Sequence, residues 1–298
     1  MATLSISEND IPELSGKTAI VTGGSSGIGL AAAQIMAAKG ATVVILDIEA
    51  PEASLKTIQY IKCDISQWSD LSAAFAQVGP VHIAIANAGV GEDGSYLTDL
   101  YDENGNLLEP TYTVVDVNLR GTLNFVKLAL HNMKKNEIRG SIVITSSATA
   151  YSAEQSLPVY SGTKAALINY MRAMRSILRD TGITINAVAP AATITKLLPP
   201  DLAAPIIASG LPVSTAHFVG LAVVYSAVAT ESQKVQAYGN DTDEWKKAPG
   251  RWNGRTILTH GELYTELEGP LADSRAVWFG EGNVRETRRQ QVATDFRC

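Results

Sequence analysis

The sequence predicts an α/β fold, a doubly wound parallel sheet flanked by helices. Three observations carry this. Short runs rich in Ile and Val recur without period-two alternation, as in strands buried on both faces. Segments of helical periodicity separate these runs. A glycine-rich loop joins the first run to the first helical segment, at the strand ends where such sheets bind ligands.

The predicted strands are 17–22, 41–47, 57–62, 81–86, 141–146 and 183–188, with a further one at 255–260. The predicted helices are 27–40, 66–78, 113–135 and 160–181. In the last helix Leu167, Met171, Met174 and Leu178 fall at helical spacing, with Arg172, Arg175 and Arg179 elsewhere on its surface. Three regions break the alternation. Residues 91–110 form a turn-rich insertion around Asp102-Glu103-Asn104-Gly105-Asn106. Residues 191–213 are Pro-rich and apolar. Residues 231–253, with Trp245, Trp252 and Lys246-Lys247, read as an irregular excursion. The tail from Gly261 shows no core pattern and has no predicted place.

The chain has 298 residues, 46% hydrophobic and 18% charged, a globular composition that excludes general disorder. A net charge of -6 argues against nucleic acid as the main partner, since phosphate binding needs a basic footprint. Two cysteines, Cys63 and Cys298, make no disulfide framework, and residues 1–15 carry no basic-then-apolar leader pattern. A reducing, cytoplasmic setting is expected. Residues 202–230 lack Asp, Glu, Lys and Arg, but Pro205, Gly210 and Pro212 interrupt them. Only 214–230 can run as one helix, short of the about 20 apolar residues a span needs. A buried or interface helix is expected, with no integral membrane segment and membrane-surface contact as the lesser reading. His82, His131, His217 and His260 are scattered without ligand spacing, so no metal site is expected.

Thr22-Gly23-Gly24-Ser25-Ser26-Gly27-Ile28-Gly29 follows the first strand and opens a helix. Glycines there permit a tight turn and a close backbone approach to a pyrophosphate, and the helix N-terminus offers free N–H groups to phosphate. Asp47 ends the second strand, 18 residues past Gly29. A carboxylate at that place accepts hydrogen bonds from ribose hydroxyls and repels a 2′-phosphate, and Ser25 and Ser26 stand where an Arg would favour one. Together these favour NAD over NADP. Asp64, after the third strand, is placed to reach an adenine amino group, with Ile65 beside it. Asn87-Ala88-Gly89 ends the fourth strand, where small residues let the backbone pass close to a cofactor.

Tyr160 and Lys164 stand at i and i+4 on one helix face. A free phenol titrates near about 10, and a nearby ammonium lowers that toward working pH. Ser147 lies 13 residues before Tyr160, just past the fifth strand, with a hydroxyl to donate to a substrate oxygen. Asn118 is unusual by propensity inside the 113–135 helix.

These motifs, in this order and spacing over residues 15–230, resemble the short-chain dehydrogenase/reductase (SDR) family. The resemblance implies a Rossmann-type fold over 1–298 as one dinucleotide-binding catalytic domain. The core would span 15–260, a substrate lid about 191–230 and a C-terminal extension 261–298. It implies a tetrad of Asn118, Ser147, Tyr160 and Lys164. Tyr160 would be the general acid/base, Lys164 would lower its pKa and hold the nicotinamide ribose, Ser147 would orient the substrate oxygen, and Asn118 would support a water-mediated relay behind Lys164. Cofactor contacts would come from Gly23, Ser25, Ser26, Gly27, Ile28, Asp47, Asp64, Ile65, Asn87, Ala88, Gly89, Tyr160, Lys164, Pro190, Thr193 and Thr195. The family pattern Asn-x-x-x-Pro-Gly here reads Asn186-Ala187-Val188-Ala189-Pro190-Ala191, and Ala191 in place of glycine puts the Thr193 and Thr195 contacts in question.

The expected reaction is NAD-linked interconversion of a secondary alcohol and a ketone on an apolar substrate of moderate size. Long members of this kind resemble those of fungal secondary metabolism. Leu197, Leu198, Ile206, Ile207 and Leu211 would make the lid apolar, and Tyr96, Tyr151, Gln155 and Leu197 are candidate pocket residues. The resemblance also implies a homodimer or homotetramer in which helices 113–135 and 160–181 pair with their copies. Two other readings remain open: a cyclase or isomerase on the same scaffold, and a non-catalytic NAD-binding protein.

Overall fold

A computed structural model describes residues 3–53 and 56–295. Cys298 lies outside them. The strands are β1 (Thr3–Leu4), β2 (Thr18–Thr22), β3 (Thr42–Asp47), β4 (Ile58–Lys62), β5 (Ile83–Ala86), β6 (Ser141–Thr145), β7 (Thr184–Pro190), β8 (Thr230–Glu231), β9 (Gly250–Arg251), β10 (Thr256–His260) and β11 (Leu263–Glu266). The main sheet runs β1-β11-β10-β7-β6-β5-β2-β3-β4. Its seven strands from β10 to β4 are parallel. The order reverses between β2 and β5, which opens the crevice where doubly wound sheets bind nucleotides.

Alternate strand residues feed two cores. Val21, Ile45, Ile85, Val143, Val188 and Ile257 pack under α1 (Gly27–Ala38) and α6 (Ala216–Val228). Ile20, Val44, Ala84, Ile142 and Ile185 face the other way. There they meet α2 (Trp68–Gln77), α3 (Thr122–Lys135) and α4 (Pro158–Ile177). Burial on both faces explains why these strands read as continuous apolar runs. A widened π-helical turn, Val115–Gly121, leads into α3.

The charge-free stretch contains α5 (Pro200–Ala208) and α6. Past the exposed His217 of its first turn, α6 is largely apolar and buried, with Gly220 pressed on Ala31 and Ala32 of α1. Among the described residues no helix is long and apolar enough to cross a membrane. The 231–253 excursion is closed at its base by pairing of β8 with β9 and holds α7 (Asp243–Lys247).

The tail that had no predicted place has a definite one. β11 turns back antiparallel on β10, and β1 pairs on β11. Tyr264 is buried, stacks on Phe218 at 3.9 Å between ring centroids and donates to the Phe218 carbonyl at 2.8 Å. Three helices follow: α8 (Glu268–Asp273), α9 (Arg275–Phe279) and α10 (Glu281–Ala293).

Candidate active site

The site lies at the carboxyl ends of β2, β5, β6 and β7. The glycine loop is shaped by close packing. A Cβ on Gly29 would sit 2.1 Å from the Gly23 carbonyl oxygen, and one on Gly23 would sit 2.8 Å from Ala88 Cα. Only glycines let this turn close against the end of β5. Asn87 clamps the loop from the side: its amide donates to the Thr22 and Gly23 carbonyls at 3.2 Å each, and its oxygen accepts from Thr145 at 3.1 Å. Asn87 thus ties β2, β5 and β6 together. The Ala88 N–H donates to Thr22 Oγ1 at 3.1 Å.

Asp47 Oδ2 accepts the Ser25 N–H at 3.0 Å, so the carboxylate at the end of β3 sits directly on the loop. Ser25 Oγ is buried with no partner, and such an orphan is expected to meet a ligand group. Ser26 caps α1 and Gly27 and Ile28 begin it. Asp64 Oδ1 accepts the Ser66 N–H at 2.9 Å, and Ile65 is buried, its carbonyl 2.9 Å from where a Cβ on Gly121 would lie. A cradle that any Cβ would fill, an orphaned hydroxyl and a carboxylate on the second parallel strand of the crevice fit a dinucleotide.

At the reacting end, Lys164 Nζ is buried and donates to the Thr145 carbonyl at 3.1 Å. Burial lowers its pKa to about 8. It stands 5.4 Å from the centroid of the Tyr160 ring. Ser147 Oγ accepts the Thr149 N–H at 3.1 Å and heads the turn Ala148–Ala150, which leaves its own hydrogen to donate elsewhere. The neighbouring Ser147 hydroxyl draws the Tyr160 phenol downward. Burial is the larger effect, however, and Tyr160 titrates above its ordinary value. Burial thus sets the net direction of the Tyr160 shift. A phenol stripped of water resists ionisation, and the buried ammonium beside it is itself disfavoured.

Asn118 is fully buried in the π-helical turn. Its amide donates to the Val90 carbonyl at 2.9 Å and its oxygen accepts the Val90 N–H at 2.8 Å. This reciprocal pairing ties the loop after β5 to the π-helical turn and leaves a second N–H and a second lone pair on the carboxamide. A Cβ on Gly89 would lie 3.2 Å from Asn118 Oδ1 and 3.4 Å from Lys164 Nζ, so these three meet at one point.

The segment after β7 lies across the cleft. Pro190 ends β7, and the Ala191 N–H donates to the Thr259 carbonyl at 2.9 Å, so the Pro190-Ala191 step is held to the sheet. Thr193 is buried and donates to the Ala191 carbonyl at 2.9 Å. Thr195 packs on Gly27, where an added Cβ would meet its Cγ2 at 3.0 Å. Leu197, half-exposed, reaches the backbone of Gly91. Lys196 pairs with Glu49 at 3.3 Å beyond β3.

The candidate pocket residues are not gathered alike. Tyr96 and Gln155 are exposed, and Tyr96 belongs to an apolar rim with Leu97, Leu100 and Tyr101. Tyr151 turns its hydroxyl to Glu268 at 2.6 Å, so it serves a buried network. Two residues near the site escaped the sequence reading. Glu92 Oε2 accepts the Tyr160 N–H at 2.9 Å at the start of α4, and its Oε1 is buried without a partner. Glu268 comes from the tail. Neither stands in a recognisable spacing, so no sequence signal pointed to them.

The fold and its crevice define a Rossmann-type dinucleotide-binding α/β protein. The short chain dehydrogenase profile matches residues 17–203. Over 299 aligned residues the chain is 54% identical to "Short-chain dehydrogenase/reductase prx4" of Penicillium rubens, covering 100% of this chain and 90% of that one. It is 49% identical to "Short-chain dehydrogenase/reductase ATR7" of Stachybotrys chlorohalonatus over 305 residues, covering 100% and 95%. In structure it is similar to a 3-ketoacyl-(acyl-carrier-protein) reductase from Brucella melitensis complexed with NADH, at TM-score 0.65 and 24% identity, covering 83% and 98%. The chain belongs to the short-chain dehydrogenase/reductase family, whose members bind a nicotinamide cofactor.

Proposed function

We propose that the protein is an NAD-dependent dehydrogenase that interconverts a secondary alcohol and a ketone on an apolar substrate of moderate size, a secondary metabolite, in the cytoplasm. The observation that carries this is the meeting of the Ser147 hydroxyl, the Tyr160 hydroxyl and the Lys164 ammonium beside the glycine loop. The chain is read as one catalytic domain with a lid over 191–230.

Gly23, Ser25, Ser26, Gly27, Ile28, Asp47, Asp64, Ile65, Asn87, Ala88 and Gly89 would hold the adenosine and pyrophosphate portions. Pro190, Thr193 and Thr195 would lie along the nicotinamide side. The Asp47 carboxylate favours NAD, because a 2′-phosphate would meet like charge. When bound, the nicotinamide supplies hydride transfer at the carbinol carbon. Tyr160 as phenolate takes the proton of the alcohol hydroxyl, or as phenol gives its own proton to the ketone oxygen. Ser147 Oγ donates to that same oxygen and orients it. The Lys164 ammonium favours the phenolate once formed, and Asn118 and Thr145 hold the groups around it in place. The 193–198 segment excludes water from the cleft.

Purified protein offered NAD⁺ or NADP⁺ with a panel of secondary alcohols, read as reduced-nicotinamide absorbance, tests this. NAD⁺ is expected to be the better acceptor. Tyr160→Phe should lose about 10²–10⁴-fold in kcat while still binding NADH. A Tyr160→Phe enzyme with wild-type turnover would remove the phenol from its role. A product of unchanged oxidation level would favour a cyclase or isomerase instead.

A further inference from the structure

Glu268 is the first residue of α8, in the tail. It is buried, only 3% exposed. Its carboxylate makes three strong contacts. Arg172 of α4 donates from Nε to Oε2 at 2.7 Å and from Nη2 to Oε1 at 2.9 Å, the bidentate pairing that fixes both planes. Tyr151 Oη donates to Oε1 at 2.6 Å. The Glu268 N–H is held in turn by Glu266 Oε1 at 2.8 Å, and Glu266 pairs with Arg255 at 3.0 Å.

The two partners of Glu268 lie on the two elements that carry the reacting hydroxyls. Tyr151 closes the short turn headed by Ser147: the Tyr151 and Ser152 N–H groups both donate to the Ala148 carbonyl at 3.0 Å. Arg172 sits on α4, the helix that carries Tyr160 and Lys164. The guanidinium also lies 5.7 Å from the Tyr151 ring centroid, so phenol, carboxylate and guanidinium form one closed unit. Arg175 and Arg275 feel the same carboxylate.

We propose that Glu268 is a positioning residue, which locks the Ser147 turn to the Tyr160 helix and makes the C-terminal extension part of the active-site scaffold. This rests on the reading of Ser147 and Tyr160 as the reacting hydroxyls. The two hydroxyls must converge on one substrate oxygen, and an error of about 1 Å in such a site can cost about 10²-fold in rate. A carboxylate with charge-assisted bonds to both elements holds it; a neutral surface contact would not.

The test compares full-length wild type with Glu268→Gln, Tyr151→Phe, Tyr160→Phe and the surface control Glu286→Gln. Tyr151→Phe removes only a hydroxyl and serves should Glu268→Gln leave the arginines unbalanced and unfold. Three quantities are read: amide exchange of residues 147–152, NADH affinity by fluorescence, and turnover of NAD⁺ with cyclohexanol, 2-octanol and 2-decalol. Exchange at 147–152 should rise about tenfold in Glu268→Gln and Tyr151→Phe and stay unchanged in Glu286→Gln. NADH affinity should hold within about twofold, and kcat should fall about tenfold or more with little change in KM. Unchanged exchange, unchanged kcat, or an NADH affinity that falls in step with turnover would each overturn the lock. The two readings fail separately. If no alcohol is turned over, or Tyr160→Phe stays active, the dehydrogenase reading falls and the exchange data alone decide whether Glu268 holds the turn.

Discussion

Lys164 shows how a buried charge sets a measurable signature. Its pKa falls from an ordinary value near 10.5 to about 8 because burial disfavours the ammonium. Between these values the unfolded chain holds a proton that the folded chain has lost, so this group's contribution to stability rises with pH across that window. Below about pH 8 both states carry the charge, and the folded state bears the cost of burying it. The unfolding free energy of wild type relative to Lys164→Met should therefore improve from about pH 8 to about pH 10.5, as followed by urea denaturation. A flat difference would show that the ammonium is better solvated than its burial implies. Tyr160 and Lys164 were legible as a pair from their spacing together with the other motifs of the family resemblance, since i, i+4 spacing is common in any helix. The balance between them was not, because it depends on how much water each group loses on folding.

At the scale of elements, the crossing of α1 and α6 decides how the glycine loop is backed. Gly220 lets the two helices touch: a Cβ there would lie 2.8 Å from Ala31 Cβ and 2.9 Å from Ala32 N. Gly220→Val should cost about 1–3 kcal/mol through overpacking, read as a lower denaturation midpoint with an unchanged slope. No loss would mean that α6 slides without strain. Residues 214–230 were legible as a buried or interface helix, whereas α5 was not, because Pro205 lies inside it. The partner of α6 was not legible, since nothing in the spacing of α6 names α1. The turn-rich insertion was also legible: Asp102 accepts the Asn104 and Asn106 N–H groups at 2.9 and 2.8 Å, and Tyr101 bridges Leu107. Asn118 was singled out for its poor helix propensity, and it sits in a widened turn of the kind often found at functional sites.

For the whole molecule, the two sheet edges differ. β11 and β1 cover β10, whereas β4 ends the sheet with Gln59 and Lys62 exposed, a charged side chain that discourages edge pairing. The faces of α3 and α4 turned from the core carry a groove lined by Leu130, His131, Tyr170 and Met174 together with Lys127, Lys134 and Lys135. The family resemblance leads to the expectation of a homodimer or homotetramer in which α3 and α4 pair with their copies. Light scattering at micromolar concentration should give at least twice the 31.6 kDa chain mass, and Met174→Lys should lower it. A monomeric wild type would sink this assembly.

By itself the sequence determined the parallel sheet and the nucleotide loop, because each rests on local chemistry, apolar runs and tight glycine turns; the four candidate catalytic residues came from the order and spacing that resemble the family. Tertiary structure alone decided the place of the tail, the Asn118–Val90 pairing, the direction of the Tyr160 shift and the joining of Tyr151 to Arg172 through Glu268. Asn118 and Val90 lie 28 positions apart and Tyr151 and Glu268 lie 117 apart, brought together by folding rather than by any pattern that neighbouring residues could display.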